Sequence, residues 1–316
     1  MSTGYKAPFI HTDRNDAYFN ASHLLSLIPV MAAAVVYYGL RAGILILSCA
    51  LLFALSDDVC ARMRKISRGS VLNPLFCGAA YALLLPPDTP LYIAFSGVLF
   101  ASLVVRQIPG GRGSSFVNAA AFGRLFIRIV FPGNETAFAM PGASLTSLKT
   151  LITGSKGFAG VDLSQYFTSE IVMGRYPSFI GTSCAFMILA GIIYLIVKKA
   201  VRFYGPLCYI TMLTALLLIR DLRNETAFTG MFLLTSGVLF TAAYLLFDEE
   251  NVKSFGLRSI LSAFICALLT FLMSFKATGI DLIVIPAVLT SILTGIIDYA
   301  FKVLRISGED RVHVQS

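Results

Sequence analysis

The chain has 316 residues, 57% of them apolar and only 13% charged, with a mean hydropathy of +0.79. A soluble domain carries roughly 25% charged residues, so this composition excludes a water-facing surface and calls for one that faces lipid. The net charge of +8 does not mark a nucleic-acid-binding protein, because the basic residues are scattered at the ends of apolar segments, the pattern that orients membrane helices.

The first stretch, Met1 to Asn20, is polar and shows no cleavable signal, so the first apolar segment is expected to act as its own insertion signal. A spanning helix needs about 20 mostly apolar residues. Segments of that kind fall at 22–40, 42–57, 71–86, 90–106, 117–132, 177–197, 203–219, 228–247, 257–274 and 281–301. The expected fold is an all-α, polytopic membrane helix bundle of about ten transmembrane helices in a single domain. The fifth segment is short and contains Arg124 and Arg128. If every segment crosses and the N-terminus is cytoplasmic, most lysines and arginines fall on the inner side, including the clusters around Arg64, Lys198 and Lys302. Without the fifth crossing, the last two clusters would move outside, so the charge pattern supports that helix. Both termini are then cytoplasmic, with 1–21 and 302–316 as inner segments and 133–176 as one long outer loop rich in Gly, Ser and Thr.

Ten helices divide into two halves of five, and an odd number per half makes the halves inverted. The third segment reads Pro74-Leu75-Phe76-Cys77-Gly78 with Leu83-Leu84-Leu85 before Pro86. The eighth reads Leu233-Leu234-Thr235-Ser236-Gly237 with Tyr244-Leu245-Leu246 before Asp248. Inverted repeats place binding sites near the pseudo-symmetry axis, beside broken helices. Breaks are expected at Pro109-Gly110-Gly111-Arg112-Gly113 and at Pro286. The glycine turn is either a tight connection or a place where backbone comes close to a bound anionic group.

Other residues limit the chemistry. Cys49, Cys60, Cys77, Cys184, Cys208 and Cys266 contain no CxxC pair and sit mostly in apolar runs, as small buried side chains do. No metal site is expected from this chain alone. No Asp or Glu falls near the middle of a predicted helix, so an ion route through this chain would rest on carbonyls or on hydroxyls such as Ser96, Thr182 and Ser236. Arg124 and Arg128 lie one turn apart on one helix face. They either hold an anionic group or snorkel to an interface. Asn118 is either a helix cap or a polar contact to a ligand. The sequence Asn-Glu-Thr-Ala-Phe occurs at 134–138 and again at 224–228, and we have no physical account of the repetition.

Residues 109–126, Pro-Gly-Gly-Arg-Gly-Ser-Ser-Phe-Val-Asn-Ala-Ala-Ala-Phe-Gly-Arg-Leu-Phe, resemble the Gly-Gly-x-Gly … Phe-Asn-Pro-Ala … Gly-Arg stretch of the RnfD/NqrB family. Pro8-Phe9-Ile10-His11, Leu83-Leu84-Leu85-Pro86-Pro87, Thr182-Ser183 at the opening of the sixth segment, and Ile297-Asp298 follow in the family's order. The chain departs from the pattern at Ala119, Ser115, Gly181 and Glu249, where the family usually has Pro, Asn, Glu and Pro. The resemblance implies an electron-transferring, flavin-carrying membrane subunit of an Rnf- or NQR-like ion-translocating oxidoreductase, a translocase complex in the bacterial inner membrane. Its partners would be the lipid bilayer and other membrane and peripheral subunits. The resemblance also implies FMN joined to a Thr of the outer loop by a phosphoester. Thr146 and Thr150 both fit that motif in part, Thr146 by its spacing to Leu148 and Thr150 by Ser147 three residues earlier. Gly110, Gly111, Asn118, Arg124 and Arg128 are the other candidate flavin contacts, and whether a second, noncovalent flavin sits between the halves stays open. Two rival readings remain: an ammonium- or urea-type channel or small-solute transporter, and a membrane scaffold with no redox role.

Overall fold

The apolar runs become helices because backbone N–H and C=O groups in lipid must be satisfied within the segment. A computed structural model describes residues 16–65, 70–111, 117–132, 174, 178–200, 204–224, 229–246, 256–275 and 281–313. Among the described residues there are helices and connections, and no strand. The helices are α1 (Asp16–Tyr38), α2 (Leu40–Met63), α3 (Leu72–Leu83), α4 (Leu91–Leu99), α5 (Ala119–Val130), α6 (Ala185–Val197), α7 (Tyr204–Asn224), α8 (Thr229–Thr235), α9 (Val238–Phe240), α10 (Gly256–Met273) and α11 (Asp281–His313). α4 continues as a π-helix over Phe100–Gln107, and α9 continues as one over Thr241–Leu245.

Three helices, within Tyr18–Tyr38, Leu40–Met63 and Tyr204–Arg223, are each long and apolar enough to cross a membrane. Five shorter apolar helical stretches accompany them: Leu72–Leu83, Leu91–Gln107, Ala185–Val197, Ser259–Met273 and Asp281–Ile297. Large apolar side chains project outward along the bundle, Leu40, Ile129, Val197 and Leu222 among them, as a lipid-facing surface requires. Inside, Phe53, Tyr81, Phe232, Phe240 and Tyr244 are fully enclosed. Tight helix crossings depend on small residues. A Cβ on Gly78 of α3 would lie 2.7 Å from the Cα of Ala50 on α2, and one on Gly123 of α5 would lie 2.8 Å from the Cβ of Ala101.

Helix contacts pair corresponding members of the two expected halves. α1 packs on α6 and α5 packs on α11, so equivalent first and fifth helices of the two halves meet across the midline. α2 packs on α3 and α4, as α7 packs on α8 and α10.

Several expectations need correction. The second helix does not end at 57 but runs to Met63, which brings Asp57 and Asp58 inside it. The sixth helix does not open at Thr182-Ser183, because residues 178–184 are non-helical and α6 starts at Ala185. Pro286 does not break the last helix, which runs unbroken for 33 residues. It is the sixth residue of the helix, so the carbonyl deprived of its N–H partner belongs to Leu282, in the first turn, where the loss is easily accommodated. The eighth segment is the one that breaks, at Ser236-Gly237. Gly237 adopts φ +74°, a left-handed conformation open to glycine at no steric cost.

Candidate functional site

Three irregular stretches meet inside the bundle: the end of α3, residues 178–184, and the break between α8 and α9. The amide of Gly181 donates to the carbonyl of Leu83 at 2.7 Å, and that of Ile180 to the carbonyl of Leu85 at 3.2 Å. These bonds satisfy the carbonyls that α3 leaves open at its end, so the helix stops inside protein rather than in lipid. A Cβ on Gly237 would lie 2.8 Å from the side chain of Thr182 and 2.8 Å from that of Ile283. The hydroxyl of Tyr38 lies 3.0 Å from Ser178 Oγ and 3.2 Å from its carbonyl. Ser178, Thr182, Ser183, Thr235, Ser236 and Thr241 are all buried around this junction. Thr182 and Ser236, two of the three hydroxyl residues singled out from sequence, therefore come together, while Ser96 on α4 bonds its own helix at the carbonyl of Ile93.

Arg124 and Arg128 differ sharply despite sharing a helix. Arg124 is 1% exposed, and its guanidinium carbon lies 5.7 Å from the ring centre of Phe179, in the irregular stretch. Arg128 is half-buried and pairs with Asp281 at the start of α11, Nε to Oδ2 at 3.0 Å. Arg124 therefore lies in the core at the junction, and Arg128 joins α5 to α11. Asn118 caps α5, its Oδ1 accepting from the amide of Ala121 at 3.1 Å, while its Nδ2 donates to the carbonyl of Leu245 in the second π-helix at 3.1 Å. Gly110 and Gly111 have φ of 131° and 91° and close the first π-helix, their amides donating to the carbonyls of Gln107 and Arg106 at 3.2 and 3.1 Å. Both the capping reading of Asn118 and the tight-connection reading of the glycines have a structural basis here. Thr146 and Thr150 lie outside the described residues.

A second buried assembly was missed by sequence reasoning. Arg106, at the end of the fourth apolar segment, is 1% exposed. Its Nε lies 3.4 Å from Asp57 Oδ1, its Nη2 donates to Asn73 Oδ1 at 2.7 Å, and its Nη1 lies 3.3 Å from Cys77 Sγ. The neighbouring Gln107 donates to Asp57 Oδ1 at 2.5 Å, and Asn73 donates to Asn20 Oδ1 at 3.1 Å. Exposed Arg64 bonds the carbonyl of Gln107. The ends of α2 and the first π-helix, the start of α3 and the early turns of α1 are thereby tied together. A buried guanidinium is tolerated only when paired and hydrogen-bonded, and Arg106 has a carboxylate beside it and hydrogen bonds from both Nη atoms. The signal in the sequence was the Arg106-Gln107 pair just before the glycine turn, with Asp57 and Asn73 at the ends of the two preceding segments.

Among the described residues no group of three or more His, Cys, Asp or Glu side chains is placed to hold a metal. The cysteines are free thiols, four buried and two half-buried.

Comparison with known proteins gives one family and a set of distant relatives. Residues 4–306 match the family described as NQR2, RnfD, RnfE. The chain is 23% identical to the D subunit of the ion-translocating oxidoreductase complex of Escherichia coli O139:H28 (strain E24377A / ETEC), over 93% of this chain and 95% of that protein. It is 22% identical, with the same coverage, to the proteins of the same name from Escherichia coli O9:H4 (strain HS) and Shigella boydii serotype 18 (strain CDC 3083-94 / BS512).

Proposed function

Since the chain belongs to the NQR2, RnfD, RnfE family, we propose that it is the D-type membrane subunit of an Rnf-like ion-translocating oxidoreductase and that it carries a flavin. The observation that carries the first part is a match over nearly the whole chain, to relatives of similar length that are named as the D component of such a complex. The flavin reading rests on the resemblance of the outer loop and on the environment of Arg124. A guanidinium enclosed at the irregular junction of the two halves supplies fixed positive charge in a low-dielectric site, where it stabilises an anion far more than it would in water.

In this reading Thr146 or Thr150 holds FMN by a phosphoester, and Arg124 favours negative charge near the junction. FMN supplies one- and two-electron transfer; the protein sets its place and its electrostatic surroundings. Asn118 and Arg128 act indirectly, by fixing α5 against the second half through Leu245 and Asp281. The hydroxyls of Thr182 and Ser236 border the same junction. The protein works beside other membrane and peripheral subunits, in the bacterial inner membrane, with both termini in the cytoplasm.

The test is in-gel flavin fluorescence of the denatured chain, co-expressed with a flavin transferase, with Thr146→Ala and Thr150→Ala in adjacent lanes. A fluorescent band that disappears in one variant identifies the attachment residue. A dark band in the unaltered protein eliminates the covalent flavin and favours the scaffold reading.

A further inference from the structure

The end of α6 carries two lysines with no anionic partner among the described residues. Lys198 caps the helix, and Lys199 follows with φ +53°. That is the left-handed region, where glycine or asparagine usually closes a helix and other residues are strained. The closure needs no lysine. The amides of Lys198, Lys199 and Ala200 donate to the carbonyls of Tyr194, Ile196 and Leu195 at 3.0, 2.9 and 2.9 Å, and glycine would make the same bonds. Both lysine side chains are exposed. At the end of α2, by contrast, Arg62 pairs with Asp58 at 2.6 Å and Arg64 bonds the carbonyl of Gln107.

The surroundings are those of the headgroup level of a bilayer. Lys198 Nζ stands 6.0 Å from the ring centre of Tyr194. The hydroxyl of Tyr18, at the start of α1, lies 3.5 Å from the carbonyl of Lys198. Tyrosines are enriched where hydrocarbon meets the polar region. Along the helix from this end, Phe186, Leu189, Ile193 and Val197 are exposed at the spacing of one helix face. From Phe186 to Val197 that stripe is about 16 Å long, at roughly 1.5 Å per residue. One leaflet's share of the hydrocarbon core is about 15 Å. Stripe and lysines together match one lipid molecule from acyl chain to headgroup.

We propose that the end of α6, with Tyr18 of α1 beside it, binds an anionic phospholipid, its phosphate at Lys198 and Lys199 and an acyl chain along the stripe. Charge complementarity selects this occupant. Two uncompensated cations at a membrane surface attract an anionic headgroup, while a zwitterionic one brings its own ammonium and gains far less. A lysine in a left-handed position suited to glycine sets a second cation one residue from the first, and the fold draws no hydrogen bond or ion pair from its side chain among the described residues. The proposal goes beyond the flavin reading and does not depend on it.

The chain has no tryptophan, so a single introduced one is an unambiguous fluorescent reporter. The full chain carrying Ile193→Trp, or Leu47→Trp on the exposed face of α2 as a control, is reconstituted into vesicles of phosphatidylcholine and phosphatidylglycerol, with brominated acyl chains on one lipid or the other. Bromine quenches the reporter on contact. At Ile193→Trp, brominated phosphatidylglycerol should quench several-fold more effectively per molecule than brominated phosphatidylcholine; at Leu47→Trp the two should be equal. Lys198→Gln with Lys199→Gln should bring the first reporter to the level of the control. Lys199→Gly should lower the preference while leaving the unfolding midpoint unchanged or raised, because it relieves the left-handed strain. Equal quenching at Ile193→Trp overturns the proposal and leaves this basic face to a peripheral protein. A preference as large at Leu47→Trp, or one that survives the loss of both lysines, overturns it as well. So does a Lys199→Gly variant that loses stability and keeps its preference, which would assign the lysine to the helix end. The readout needs neither flavin nor electron transfer, so a dark gel in the flavin experiment does not bear on it.

Discussion

Replacing Asp57 with leucine removes the carboxylate that Arg106 and Gln107 share and leaves a guanidinium enclosed with amides, a thiol and the ring of Phe53, 5.9 Å from its carbon. Arg106 is 1% exposed and Asp57 9% exposed, so water cannot take the place of the lost partner. Breaking such a pair from one side costs about 3–5 kcal/mol, while replacing both partners by apolar residues of similar size is often neutral. Asp57→Leu and Arg106→Leu should therefore each destabilise by about 3–5 kcal/mol, and the double variant by much less than their sum. Reversible unfolding in mixed micelles, followed by circular dichroism, reads all three. Single variants each losing under about 1 kcal/mol, as an exposed pair would, would refute the reasoning, as would a double variant whose loss equals the sum.

Other sites separate packing from pairing. Gly78→Val should destabilise by about 1–3 kcal/mol, because its Cβ would stand 2.7 Å from the backbone of Ala50; the same unfolding assay reads it. Asn118→Ala loses the α5 cap and leaves the buried carbonyl of Leu245 without its side-chain donor, together about 2 kcal/mol. Asn118→Asp, which keeps the cap but not the donor, should recover only part of that. Arg128→Gln should cost no more than about 1 kcal/mol, since its side chain is 39% exposed, whereas Arg124→Gln, at the junction, should reduce the flavin-dependent activity of the assembled complex while leaving assembly intact on native gels.

The helices were legible because lipid imposes one rule on every residue of a spanning segment, and the apolar runs obey it. Even the short fifth segment forms α5, with Asn118 at its cap. Breaks were less legible, because Pro and Gly act according to position. Pro286 falls where a helix start absorbs it, while Gly237 stands beside Thr182 and turns the chain. The start of α6 was misplaced because residues 178–184 are as buried as a helix, and hydropathy registers burial rather than backbone conformation. The Asp57–Arg106 pair was hidden for a related reason. A charge at the end of an apolar run has the same appearance whether it reaches outward to headgroups or inward to a partner, and only the meeting of three helix ends distinguishes the two. Of the candidate site, Arg124, Thr182 and Ser236 converge at the junction, whereas Asn118 and Arg128 mainly secure the helix that carries Arg124.

The central claim is tested most directly by capturing the tagged chain from its native membrane in mild detergent and recording the visible spectrum before and after dithionite. A flavin-bearing D-type membrane component predicts that further membrane and peripheral subunits are retained with it, and that a flavin absorbance bleaches on reduction and returns in air. A solitary chain with no absorbance that responds to dithionite would contradict it.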